Sequence, residues 1–297
     1  MNYRTQKKFV RKYHDALTAA AILIPMLIWW FASNGFPTLF GFVLGSFDWK
    51  NISKAPTFAG IQNFITFFTS KTYLLDLWRT IWLGGVCTLI TVVTGFAVAL
   101  LMNLPLKAKG IYRTIWYVPA VTSPLAITQI IGILLNPIDG ITYELLNKIG
   151  FKTSIWSESV FWSLFFIIVY SAWKGIGGAA IIWLAGLQSI DQGLYEAAET
   201  DGAGKLAKFW NITVPGLRPI ATFIVITGII GSLQIYEPIA FITNGGPSEQ
   251  TMVIPLRIIK DGFFNFNFGM AGASGLVLAV IAFILSLSYY RYSQRED

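Results

Sequence analysis

The side chains able to do chemistry sit in three clusters separated by long apolar runs. Lys174 stands near the middle of the apolar run 160–185, with Tyr170 and Trp173 beside it. Gln234, Tyr236 and Glu237 interrupt a second run, 220–243. The third cluster is a polar stretch between those runs, Leu194–Pro215, LYEAAETDGAGKLAKFWNITVP. Lys, Gln, Tyr and Glu offer hydrogen bonds to hydroxyls or charged groups, and Trp and Tyr rings offer apolar faces to C–H groups. Enzyme constellations are missing. His14 is the only histidine, which excludes His-based triads and multi-histidine metal sites, and the single cysteine, Cys87, excludes a cysteine zinc site or an intrachain disulfide. Gly202-Ala203-Gly204-Lys205 resembles a phosphate loop only briefly, because Glu199 and Leu206 occupy the positions where a Gly and a Ser or Thr are required. No metal site and no cofactor are expected in this chain.

The elements that must position these residues are membrane spans. Hydrophobic residues make up 55% of the chain, charged ones 12%, and mean hydropathy is +0.60. Such apolar excess in long runs points to membrane helices. The net charge of +7 is then read loop by loop and not as a nucleic-acid footprint. The expected spans are 16–32, running on towards Phe47 with a kink at Pro25; 78–101; 114–135, interrupted by Pro119 and Pro124; 160–185; 220–243; and 270–290. The first run is long for a signal-peptide core and no small-residue cleavage site follows it, so an uncleaved span is expected. Segments 48–77 and 136–159 read as loops, the former aromatic enough to lie at the headgroup level.

Six spans put both termini on one side. Thirteen Lys and Arg fall in the segments on that side and eight on the other, with Lys174 inside a span. The positive-inside bias therefore makes the termini and the 186–217 loop cytoplasmic. The expected organisation is an all-α polytopic bundle: a basic N-terminus 1–15, a six-span domain 16–292 containing the loop 186–217, and a tail 293–297.

Within the polar stretch, Glu196-Ala197-Ala198, Asp201-Gly202-Ala203, Ile212 and Pro215 resemble the EAA loop of ABC importer membrane subunits, with Val214 where that pattern has Leu. The resemblance runs through most of the chain and is closest to the sugar-permease branch, the MalF and UgpA type. Asn244-Gly245-Gly246-Pro247, followed by Ser248 and Thr251, resembles a segment of that branch after the fifth span.

The resemblance implies a type I importer permease working as a heterodimer with a second permease. Two ABC ATPase subunits, which use ATP and Mg, and an extracytoplasmic solute-binding protein complete the assembly. Membrane lipid surrounds it, and no nucleic acid is expected. Glu196, Ala197, Ala198, Asp201, Gly202, Ala203 and Pro215 would couple to the ATPase. Asn244, Gly245, Gly246 and Pro247 would lie near the binding protein. The substrate class implied is carbohydrate, with glycerol 3-phosphate or an acidic saccharide as the alternative and a secondary transporter as the alternative from another class. The location implied is a bacterial or archaeal cytoplasmic membrane.

The physical expectations for the loop are specific. Asp191 or Ser189 caps a short helix, Leu194, Ala197 and Ala198 form an apolar face, Gly202 permits a turn, Asp201 caps the following helix, and Pro215 ends the segment. Gly202→Asp is expected to uncouple transport without preventing membrane insertion. An amphipathic helix with no partner is the plain alternative. For Lys174 two readings stay open: a pathway residue serving hydroxyls or an anion, or a lysine paired with a buried carboxylate or carbonyl for assembly. Tyr170, Trp173, Gln234, Tyr236 and Glu237 are the other pathway candidates, with contact to the partner permease or helix-interface packing as the alternatives for Glu237.

Overall fold

The computed structural model describes residues 3–104, 109–134, 140–148 and 159–294, with side chains from residue 17 onward except at 109, 142, 143, 146 and 147. Lys107, Lys152 and Arg295, used in the charge count, lie outside the described residues.

Helix α1 (Tyr3–Trp30) passes through a π-helical turn (Phe31–Gly35) into α2 (Phe36–Leu44). The apolar run therefore stays helical to Leu44, past Pro25 and Pro37. In place of a plain 48–77 loop come a two-residue antiparallel ribbon, β1 (Phe47–Asp48) with β2 (Thr57–Phe58), and α3 (Gln62–Thr69). The buried Asn63 holds α3 in place, its amide donating to the Gly45 and Phe47 carbonyls at 3.0 and 2.8 Å. Helix α4 (Lys71–Asn103) starts well before the apolar run, so Asp76 and Arg79 belong to it.

Helices α5 (Lys109–Val121) and α6 (Pro124–Leu134) meet at a bend of 88°. Pro124 lacks the amide to continue α5, and prolines disfavour helical backbone in the residue before them. The 136–159 segment is not all loop: it contains α7 (Ile141–Lys148). Helix α8 (Val160–Ser189) runs unbroken. After it come α9 (Gln192–Thr200), α10 (Lys205–Lys208), a π-helical turn (Phe209–Thr213) and α11 (Val214–Gly216). Helix α12 (Arg218–Leu233) follows at 59° to the preceding stretch.

The expected fifth span does not continue as one helix. It breaks at Gln234–Tyr236 and resumes as a π-helical segment, Ile239–Thr243. The chain then turns through Asn244–Pro247 into α13 (Ile254–Ile259), another π-helical turn (Lys260–Phe264) and α14 (Phe268–Ser293). Asn267 caps α14 by accepting from the Met270 amide at 3.3 Å. Among the described residues four helices are long and apolar enough to cross a membrane, and the count reaches six if each bent pair is one span.

The bundle centres on α4 and α8. Val98, Ala99 and Met102 of α4 pack with Ala179, Ala180, Trp183, Leu184 and Leu187 of α8, joined by Leu217 and Ile224. Small residues let these helices approach closely, as lipid-embedded helices require in place of a hydrophobic drive. Helix α5 approaches α8 as closely: a Cβ on Gly177 would lie 2.1 Å from the Trp116 carbonyl oxygen of α5. A second cluster around Phe67, Leu233, Ile254, Met270 and Val277 closes the ribbon end of the bundle.

Candidate functional site

The break that follows α12 lines a cavity of about 380 Å³ between α4, α8 and α12, through Gln234, Ile235 and Glu237. Its wall carries Thr88, Thr91, Ser171, Thr227, Ser232 and Gln234, with Tyr170, Lys174 and Glu237 among apolar neighbours. The Lys174 ammonium donates to the Thr122 carbonyl at 3.0 Å and, less closely, to the Pro119 carbonyl at 3.4 Å. Those oxygens lie where α5 ends, and helix ends leave carbonyls without partners. A lysine at a helix centre costs roughly 2.5–3.5 kcal/mol on insertion scales, and here the break solvates the cation through the Thr122 carbonyl and the Pro119 carbonyl, which also accepts from Thr122 Oγ1 at 2.8 Å. The two readings of Lys174 thus meet in one geometry: it pairs with backbone carbonyls and it lines the cavity.

Of the six pathway candidates, Tyr170, Lys174, Gln234 and Glu237 line this cavity. Trp173 instead faces an apolar hollow with Ile127, Ile130, Leu134 and Phe166, which Tyr170 also borders. Tyr236 faces a third hollow beside Phe241, Asn244 and Lys260. Successive residues of the break at 234–237 therefore point to different cavities. Cys87 is buried at the cavity wall, in keeping with a packing role.

The polar loop has a local logic that its sequence spacing encodes. Asp191 caps α9, its carboxylate accepting from the Gly193 amide at 2.9 Å; Ser189 instead donates back to the Gly186 carbonyl. At the other end of α9, the Gly202 amide donates to Glu199 O at 3.0 Å and the Ala203 amide to Ala198 O at 2.8 Å. With Gly202 at φ +78°, this is a complete Schellman C-cap. Ala198, Asp201, Gly202 and Ala203 are spaced as that cap demands. Asp201 is consequently the C-cap of α9 and does not cap α10, which follows Gly204 with no side-chain cap.

The expected apolar face divides. Tyr195 and Ala198 are half-buried, and the Tyr195 hydroxyl bonds Thr213 Oγ1 at 2.8 Å, which anchors α9 to the body. Leu194, Glu196, Ala197, Leu206 and Trp210 stay exposed. A Glu199–Lys208 ion pair at 3.5 Å bridges α9 to α10. Pro215 lies inside α11, and the change of direction comes one step later, at Leu217.

At the ribbon end, Arg257 of α13 donates from Nε to Asp76 at 2.7 Å and from both terminal nitrogens to Glu249 at 3.1 and 2.8 Å. Arg79 also reaches Asp76, at 3.1 Å. Hydrogen bonding from Arg257 holds the Glu249 carboxyl below its ordinary pKa of 4.5. These contacts fasten the turn Asn244–Pro247 to α4. Asn244 takes left-handed backbone (φ 49°) and Gly245 follows at φ 84°, while Thr251 Oγ1 donates to the Gly246 carbonyl at 2.7 Å.

A family model described as binding-protein-dependent transport system inner membrane component matches residues 91–296. The chain belongs to that family. The sulfoquinovosyl glycerol transport system permease protein SmoG of Agrobacterium fabrum is 30% identical over 287 residues, covering 95% of this chain and 90% of that one. The sn-glycerol-3-phosphate transport system permease protein UgpA of Yersinia enterocolitica is 26% identical over 240 residues, 80% and 81% of the two chains. A crystal structure of a bacterial ABC transporter involved in import of the acidic polysaccharide alginate contains a chain with TM-score 0.82 and 24% identity, covering 98% of this chain and 99% of that one, which shows the shared fold.

The protein is thus an ABC transporter permease, a component of the inner membrane. What residue types alone did not reveal in this permease is the Asp76–Arg257–Glu249 cluster, whose partners lie far apart in sequence. A charged Asp76 directly ahead of an apolar run is the one available signal, and it reads as a loop residue until the helix is seen to start at Lys71.

Proposed function

We propose that this permease is the translocating subunit of an ATP-driven, binding-protein-dependent importer that carries a sugar or oligosaccharide inward by alternating access. The observation that carries this reading is the cavity of about 380 Å³: hydroxyls, an amide, a carboxylate and an ammonium converge in an otherwise apolar bundle where the chain breaks after α12. Irregular backbone at membrane depth is stable where it is buried in protein or lines a watery cavity. A wall rich in Thr and Ser suits a polyhydroxylated solute, and the solutes in the relatives' names support that class.

The assembly would add a second permease, two ATPase subunits that use ATP and Mg, and an extracytoplasmic binding protein, with this chain holding no cofactor and performing no hydrolysis. Both termini and the α9–α10 loop would be cytoplasmic. The exposed face of Leu194, Glu196, Ala197, Leu206 and Trp210 would meet the ATPase, and the Asn244–Pro247 turn would face the binding protein. The test is to tag the chain, solubilise membranes gently and identify co-purifying proteins by mass spectrometry, alongside uptake assays. Recovery of an ABC ATPase and a second permease, with loss of uptake of a saccharide on deletion, is expected. Purification alone from several mild detergents, with uptake persisting without ATP, would place secondary transport ahead.

A further inference from the structure

Resting on the reading of the central cavity as the solute path, we infer that it selects uncharged saccharides and rejects acidic ones, with Glu237 setting that preference. One basic and one acidic side chain stand on its wall, Lys174 and Glu237. The Lys174 ammonium is already directed at the Thr122 and Pro119 carbonyls. These sit at the end of α5, where the peptide dipoles present negative charge, so the local field of the break opposes that of the cation. The Glu237 carboxylate, by contrast, is exposed and has no hydrogen bond or ion pair among the described residues. The charge-bearing group left without a protein partner, and so free to meet a solute, is therefore the acidic one.

A neutral sugar hydroxyl can donate to Glu237, exchange hydrogen bonds with Gln234, and meet the Thr and Ser hydroxyls of the wall. A carboxylate, sulfonate or phosphate at the same place meets repulsion worth about ten- to a hundredfold in occupancy at separations of a few ångströms in a medium of intermediate dielectric. The chain's relatives include proteins named for glycerol 3-phosphate and alginate transport, both anionic solutes, so likeness and cavity chemistry give opposite expectations.

Gln234 is exposed on the cavity wall three residues from Glu237, and Gln234→Cys in a Cys87→Ala background reports this field without knowledge of the substrate. The assembled transporter in nanodiscs is treated with methanethiosulfonates bearing a trimethylammonium or a sulfonate group. In either reaction the introduced thiolate attacks the reagent's sulfenyl sulfur, forms a mixed disulfide and expels methanesulfinate. Labelling of this chain is followed by intact-mass spectrometry, and each rate is divided by that of free cysteine. The cationic reagent is expected to win by about tenfold or more, Glu237→Gln to bring the ratio close to one, and Glu237→Lys to reverse it. Equal rates, or a preference that Glu237→Gln does not move, would overturn the charge selection while leaving the cavity as the path. Silence of the introduced cysteine to both reagents, with normal labelling after denaturation, would overturn the cavity reading itself.

Discussion

Replacing Arg257 with Met isolates the energetic role of the charge cluster at the ribbon end. Asp76 is fully buried and accepts from Arg257 Nε at 2.7 Å, and its second oxygen accepts from Arg79 at 3.1 Å. Removing the arginine strands a buried carboxylate with one partly exposed cation. Breaking a buried pair in this way typically costs 3–5 kcal/mol, and the surviving Arg79 contact places the expectation at the lower end, about 3 kcal/mol. Glu249 adds little to that figure, because its side chain is more than half exposed and screened by solvent. Methionine keeps the stem's volume, so the loss reports charge and not a cavity. Asp76→Asn with Arg257→Met removes the stranded charge and should recover about 2 kcal/mol of the loss, a coupling readable from a double-mutant cycle. The assay is thermal unfolding of the purified permease complex in nanodiscs, with tryptophan fluorescence as the probe. For a chain of this size roughly 2–4 °C per kcal/mol is expected, so the single variant should melt about 6–12 °C lower. A single-variant shift below about 2 °C, or a double variant no more stable than the single, would refute the assignment of Arg257 as the partner that makes Asp76 tolerable.

Two further outcomes follow from particular contacts. Gly202 adopts φ +78° with no atom within 4 Å of an added Cβ, so substitution there is penalised by backbone conformation alone, roughly 1–2 kcal/mol for a residue with a side chain; ATP-dependent uptake should fall in the order Gly, Asp, Val at this position while membrane insertion stays constant, and full uptake by Gly202→Val would contradict the need for the C-cap. Glu249 has a folded-state pKa below its ordinary 4.5, so its contribution to stability is complete above pH 4.5 and lost as pH falls through the lower folded value; melting temperature measured from pH 3 to 7 should drop on the acid side, and Glu249→Gln should flatten that drop.

Much of the architecture was legible because membrane insertion writes long apolar runs into a sequence. The runs at 78–101, 160–185 and 270–290 all lie inside helices, each of which extends beyond its run by several residues. The extension is physical: polar residues such as Lys71, Asp76 and Ser189 are satisfied by helix and neighbours, so hydropathy ends before hydrogen bonding does. The α9 turn was legible for a different reason, since a Schellman cap needs a left-handed residue at one fixed place and Gly202 supplies it. The break at Gln234–Tyr236 had one local cue, Pro238, which lacks the amide that a continuous helix would pair with the Gln234 carbonyl. The apolar run to Thr243 outweighed it, and the polar residues read equally well as a polar face on a continuous helix. Arg257 offered no local cue, because its partners Asp76 and Glu249 come from different segments.

Lys174 links the two breaks. At the first, the Thr122 and Pro119 carbonyls accept from Lys174 of the unbroken α8, and the Pro119 oxygen also accepts from Thr122 Oγ1 at 2.8 Å. At the second, Gln234 and Glu237 line the cavity that Lys174 also borders. Neither interruption would be stable facing lipid, where an unpaired peptide group costs several kcal/mol. The same loop segment that precedes α12 carries the exposed residues of α9 and α10, so a force applied there reaches the second break through one continuous helix, Arg218–Leu233.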